Sequence, residues 1–159
     1  MELVILIGLQ AAGKSTFARQ RFAATHEYVS KDLLANNRRP DRRQAELVTA
    51  ALGAGRSVVV DNTNPTIASR AALIALGNAF GARVTGYYFP APASEVLARN
   101  RARTGTARVP DVAIYATRKQ LVPPSAAEGF AALYAVRIGA GGGFDVYRWQ
   151  EAEHGKQRG

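Results

Sequence analysis

The chain has no cysteine, one methionine and one tryptophan among 159 residues. The first absence excludes disulfides, thiolate metal sites and a cysteine nucleophile. Aromatic residues make up only 8% and do not interleave with the arginines, so a base-stacking surface is not indicated. No apolar run approaches a membrane-spanning length. The apolar start lacks a basic leader and a small-residue cleavage site, and is expected to be a first strand rather than an export signal. A cytoplasmic protein with no membrane association and no evident protein partner is the simplest expectation. Acidic residues are also scarce: 12 Asp and Glu face 21 Lys and Arg, a formal charge of +9. Net charge bears on partners rather than fold, and this sign favours polyanions. The positive residues cluster at Arg38, Arg39, Arg42 and Arg43, at Arg99, Arg101, Arg103 and Arg108, and at Arg118 and Lys119. Such clusters are either a polyanion-binding surface or a solvated face.

The most informative stretch is Val4-Ile5-Leu6-Ile7-Gly8-Leu9-Gln10-Ala11-Ala12-Gly13-Lys14-Ser15-Thr16. An apolar run is followed by the pattern G-x-x-x-x-G-K-[ST] and then by helical periodicity. That order suits a buried strand feeding a phosphate-binding loop, with the free N–H groups of a helix start facing the phosphate. Gly8 and Gly13 are expected to let the backbone approach phosphate oxygens, with Ala11, Ala12 and Thr16 completing the cradle. Lys14 is placed to reach the β- and γ-phosphates, and the Ser15 hydroxyl to hold magnesium. The expected ligands are ATP and Mg²⁺.

Strand and helix patterns then alternate. Strands are expected at 27–30, 57–61, 83–89, 130–138 and 144–149, and helices at about 14–24, 41–53, 64–81, 93–103 and 110–122. Residues 38–43 read as a basic, proline-containing loop, and 139–143 as a glycine-rich connection that either joins a final hairpin or orders an adenine-side loop. The pattern predicts an α/β fold: a three-layer sandwich around a mainly parallel sheet of about five strands. One domain is expected over 1–150, with a polar tail at 151–159.

Two further absences narrow the class. There is no Asn-Lys-x-Asp element of a guanine-specific switch. The strand-end Asp61 is followed by Asn62, not by the Glu that would activate water in a motor or transporter ATPase. Transfer to a bound acceptor is therefore the better reading, and the acceptor hydroxyl needs its own carboxylate. Asp32, just past the second strand, stands where open α/β sheets place their chemistry. Its competing role is a helix N-cap.

Asp61-Asn62-Thr63-Asn64-Pro65 followed by Ala68-Ser69-Arg70 resembles a segment of the polynucleotide 5′-hydroxyl kinase family, as found in the kinase domain of animal polynucleotide kinase/phosphatase. The likeness continues at Ala98-Arg99-Asn100-x-x-Arg103, Val109-Pro110 with Tyr115, Arg118-Lys119-Gln120 and Glu128-Gly129-Phe130, and spans roughly residues 3–135. It implies a fold of P-loop kinase type with a helical lid at about 99–110, and ATP-dependent phosphorylation of 5′-hydroxyl ends of DNA or RNA. It also implies Asp32 as general base and Arg99 and Arg103 as lid arginines that grip the triphosphate from one helix face. Asp61 either assists magnesium through water, orients the acceptor strand or is an ordinary strand-end carboxylate. Arg70 matches an arginine near the substrate, or is a helix-surface charge. Phage-type relatives often carry an arginine where this chain has Ala35, so a phosphate contact would come from elsewhere, such as Arg38 or Arg39, or be absent. A small-molecule kinase with the same machinery and a nucleotide-switched binding module are the alternatives.

Overall fold

Residues 3–7 are wholly inaccessible to solvent, which requires cover on both faces of their strand. The computed structural model, which describes residues 1–150, shows how that cover is arranged. The expected tail at 151–159 lies outside the described residues. Strand β1 (Glu2–Gly8) runs between β3 (Val58–Asp61) and β4 (Arg83–Phe89). Strand β2 (Glu27–Val29) lies outside β3, and β5 (Ala132–Ile138) outside β4, all parallel. Strand β6 (Phe144–Arg148) closes the far edge antiparallel to β5, giving six strands in the order β2-β3-β1-β4-β5-β6. The sixth strand is the return arm of a hairpin around residues 139–143.

The period of two along β1 sorts its side chains into two cores. Leu3, Ile5 and Ile7 pack with Val48, Ala51 and Leu52 of α2 (Pro40–Gly53) and Leu73 and Ile74 of α3 (Ile67–Ala79). On the other face, Val4 and Leu6 pack with Phe17, Ala18 and Phe22 of α1 (Lys14–Phe22). Val96 and Leu97 of α4 (Ala93–Ala102) and Ile114 of α5 (Asp111–Gln120) complete that layer. The fold is thus the expected three-layer α/β sandwich. No helix among the described residues is long and apolar enough to cross a membrane.

Helix boundaries depart from the sequence pattern in three places. Pro40 occupies the first position of α2, where its missing N–H costs nothing, so Arg42 and Arg43 lie in a helical turn rather than a loop. Helix α3 opens after Pro65: Thr66 caps it in a reciprocal box with Ser69. Helix α4 stops at Ala102, and Arg103 is already extended at φ −78°, ψ 152°.

Arg70 is neither a substrate contact nor a surface charge, and that expectation is corrected here. It is the largest fully buried side chain, with 0% exposure. Its Nε and Nη2 donate to the two carboxylate oxygens of Glu128 at 2.7 and 3.1 Å, and its Nη1 donates to the Asn64 carbonyl at 2.9 Å. Glu128 also accepts the Ser125 N–H at 2.9 Å. All three guanidinium nitrogens are thereby engaged inside the protein. Arg70→Met leaves the Glu128 charge buried and unpaired, which costs about 3–5 kcal/mol. Urea denaturation should show that loss, and the double variant Arg70→Met/Glu128→Leu should recover most of it. Equal losses in single and double variants would mean that packing rather than charge sets the cost.

Candidate active site

The loop from Gly8 to Gly13 joins β1 to α1 at the carboxyl ends of the parallel strands, where such sheets bind ligands. Its two ends are glycine for reasons that motif reasoning missed. A Cβ on Gly8 would lie 3.0 Å from the Phe89 Cβ and 3.2 Å from the Phe89 carbonyl, so the close approach of β4 by itself favours glycine there. A Cβ on Gly13, which has φ +99°, would lie 3.2 Å from Ile138 and 3.3 Å from Phe144, both at the base of the edge hairpin. Ala11 holds a left-handed φ of +61°, a conformation that costs a non-glycine residue about 1–2 kcal/mol. The loop is braced from behind. The Gly8 N–H donates to the Thr63 carbonyl at 3.0 Å, and the Asn64 Nδ2 donates to the Leu6 carbonyl at 2.7 Å.

Helix α1 starts with no side-chain cap and no acidic residue in its first turn. Its N–H groups and dipole are therefore left available to an anion. Lys14 turns back into the loop and donates to the Gly8 and Leu9 carbonyls at 2.9 and 2.6 Å. Burial pushes its pKa down from 10.5 to about 8; Arg103 pushes it the same way, while Asp61 and Asp32 oppose the fall. Ala12 is buried and Thr16 is exposed in the first turn of α1. Gln10 reaches out of the loop, its Nε2 donating to Thr117 Oγ1 of α5 at 2.9 Å.

Asp61, at the end of β3 and 5% exposed, accepts the Ser15 hydroxyl proton at 2.6 Å. The same oxygen accepts the hydroxyl of Tyr28 from β2, and burial together with that bond raises the phenol to about 12. Tyr28 carried no sequence signal, being one aromatic residue in a three-residue strand. The Ser15–Asp61 pair leaves the serine lone pairs free to face a cation. Magnesium needs only one or two protein oxygens when water and phosphate complete its shell. The pair could hold Mg²⁺ in that way, through the Ser15 hydroxyl beside the Asp61 carboxylate.

Asp32 lies in a 3-10 turn, Lys31–Leu34, directly after β2. The capping role weighed for it belongs to Ser30, whose Oγ accepts the Asp32 N–H at 3.2 Å. The Asp32 carboxylate is exposed, accepts no hydrogen bond from the described residues, and is felt electrostatically by Lys14. Arg103 also reaches the loop with its charge. Because α4 ends before it, Arg103 does not share a helix face with Arg99, which pairs instead with Glu95 on α4. Asn100, wholly buried, clamps both backbone groups of Val109 at 2.7 and 3.0 Å and so closes the segment 101–108. Arg38, Arg39, Arg42 and Arg43 line a cavity of about 250 Å³ with Asn37 and Glu46. Arg42 and Arg43 share Glu46, while Arg38 and Arg39 have no carboxylate partner among the described residues.

Residues 3–124 match the family model described as an AAA domain. The chain is 30% identical over 135 residues to the bifunctional polynucleotide phosphatase/kinase of Schizosaccharomyces pombe. That match covers 81% of this chain but only 32% of the relative, so the chain spans about a third of the length of that protein. Among solved structures it is similar to a gluconokinase from Sinorhizobium meliloti 1021, at a TM-score of 0.65 and 18% identity over 87% of this chain and 83% of that one. It is also similar to a chain of a Pnkp1/Rnl/Hen1 complex, at a TM-score of 0.53 and 24% identity over 62% of this chain and 38% of that one. At these identities the structures speak for the fold.

The buried lysine makes nucleotide binding pH-dependent. Phosphate charge beside Lys14 raises its pKa again, so binding takes up a proton wherever the free amine, at about 8, is already deprotonated. ATP affinity should be flat below pH 8 and fall as pH rises above it. Calorimetry in two buffers of different ionisation enthalpy checks the uptake, which should vanish in Lys14→Met.

Proposed function

The chain belongs to this AAA-domain family of P-loop kinases, and from that membership we propose that it transfers the γ-phosphoryl group of ATP to the 5′-hydroxyl end of a DNA or RNA strand. The observation that carries the proposal is the pairing of two unlike carboxylates across the site. Asp61 is buried and committed to Ser15, whereas the Asp32 carboxylate is exposed and accepts no hydrogen bond among the described residues. One suits a phosphate and metal side, the other an acceptor side. The polynucleotide acceptor rests on the relative in fission yeast and on the cavity lined by Arg38, Arg39, Arg42 and Arg43.

In this reading the loop residues Gly8, Ala11, Ala12, Gly13, Lys14, Ser15 and Thr16 bind the triphosphate through N–H groups and the lysine ammonium. Ser15 would hold magnesium, with Asp61 fixing the serine hydroxyl, and the ion would supply positive charge to offset that of the phosphates. Asp32 accepts the proton of the acceptor hydroxyl as its oxygen attacks the γ-phosphorus in line. The bond from that phosphorus to the bridging oxygen breaks, and ADP leaves with the electron pair. Lys14 and Arg103 offset the charge that spreads over the transferring group, and Arg99 joins them once released from Glu95. Arg38 and Arg39, the two cavity arginines without acidic partners, hold strand phosphates.

Labelled ATP offered with a 5′-hydroxyl oligonucleotide, a nucleoside and a sugar tests the acceptor directly. Label should appear on the oligonucleotide, and transfer to the sugar alone would replace this reading with a small-molecule kinase. Asp32→Asn should lower turnover by about 10²- to 10⁴-fold with little change in ATP affinity. Retained turnover would move the base elsewhere.

If the cavity holds strand phosphates, the oligonucleotide KM should rise steeply with salt, with a log–log slope of roughly 0.7 per neutralised phosphate. Arg38→Gln with Arg39→Gln should flatten that slope while leaving the KM for ATP unchanged. A salt-insensitive KM equal for short and longer oligonucleotides would reject the polynucleotide acceptor and leave the transfer chemistry standing.

A further inference from the structure

The turn that presents Asp32 has little core to hold it. None of its residues, Lys31–Leu34, is buried, and Leu33 is 72% exposed. Its ion pair, Lys31 with Asp41 at 2.6 Å, is on the surface, where such pairs contribute little. A general base needs tighter placement than this, because misplacement by about 1 Å can cost about 10²-fold in rate.

The needed restraint comes from the end of β3. Asn62 Oδ1 accepts the Lys31 backbone N–H at 2.9 Å, and Asn62 Nδ2 donates to Gln44 Oε1 on α2. The orientation of both amides follows from chemistry. The Lys31 N–H can only donate, so the oxygen of Asn62 must face it; the nitrogen then faces Gln44, whose oxygen must turn toward it. Gln44 is 7% exposed, so its side chain is itself held by the packing of α2 on the sheet. The result is one rigid link from the strand that carries Asp61 to the turn that carries Asp32.

We infer that Asn62, with its amide fixed by Gln44, is the positioning residue for Asp32. The inference rests on the reading of Asp32 as general base. Asn62 touches neither ATP nor the reacting atoms in this role: it sets where the carboxylate stands relative to the phosphate loop. It also gives a positive reason for an amide at the position after the strand-end aspartate, where hydrolytic relatives would carry a carboxylate.

The test is a double-mutant cycle on the full chain with the 5′-hydroxyl oligonucleotide as acceptor. Asn62→Ala should lower kcat about 10-fold or more while the KM for ATP stays near wild type, and amide exchange should show loss of protection at Lys31. Gln44→Met, which keeps the buried volume, should move kcat and Lys31 protection the same way by less, and serves if Asn62→Ala fails to fold. In the Asp32→Asn background, adding Asn62→Ala should cost nothing further, because its effect acts through the group already removed. Unchanged kcat in both Asn62→Ala and Gln44→Met, or a full additional loss in the Asp32→Asn background, would overturn the positioning role. Wild-type turnover in Asp32→Asn would overturn the base assignment and this role with it, an outcome told apart by the Asp32 variant alone.

Discussion

A lysine ammonium shut away from water sits at the focus of this structure. Among the described residues Lys14 donates to two carbonyls of its own loop, and burial lowers its pKa because they replace water poorly. For the loop to hold that shape it must be prevented from collapsing or opening. The surroundings supply the constraint: β1 is buried on both faces, Thr63 and Asn64 hold the backbone on either side of Ile7, and the edge hairpin packs against Gly13. An anion entering the loop gives the ammonium a partner stronger than a neutral carbonyl. Recognition is then built into a cation that its own loop leaves under-solvated.

The five residues that follow the middle of β3 distribute the rest of the site. Asp61 serves Ser15 and Tyr28, Asn62 serves Lys31 and Gln44, and Thr63 serves Gly8. Asn64, at a left-handed φ of +44°, serves Leu6 on one side and Arg70 on the other, and the Pro65 carbonyl accepts the Val122 N–H. Together they tie the strand end to β1, α1, β2, α2, α3 and the turn at Lys31. Asp61, Asn62 and Asn64 do so with short polar side chains that reach their partners without needing space of their own, while Thr63 and Pro65 use their carbonyls. An apolar residue at 61, 62 or 64 would release an attachment while leaving a partner unpaired.

What the sequence discloses is governed by how local the cause is. The apolar run of β1, the loop after it and the start of α1 are written in thirteen successive residues, and all three stand where the pattern puts them. Ser15 and Asp61 were both singled out, although their contact joins residues 46 apart. Arg70 was legible as a motif residue but not in its role, because its meaning lies in Glu128, 58 positions away. Gly8 answers to Phe89, and nothing near it in the chain says so. The expected face shared by Arg99 and Arg103 failed through a helix end one residue earlier than the pattern suggested, the commonest uncertainty in reading helices. The sixth strand was visible as a pattern; its antiparallel sense is a property of the glycine-rich hairpin and of no single residue.

The clamp that Asn100 places on Val109 makes the eight residues between them a closed ring of chain rather than a flap on a single hinge. Arg103 rides on that ring. With both ends tied, the entropy of closing the loop is lost when the protein folds, not each time a nucleotide arrives. A segment tied at both ends has no single hinge about which the arginine could swing, so its reach is set by the shapes that eight residues can take.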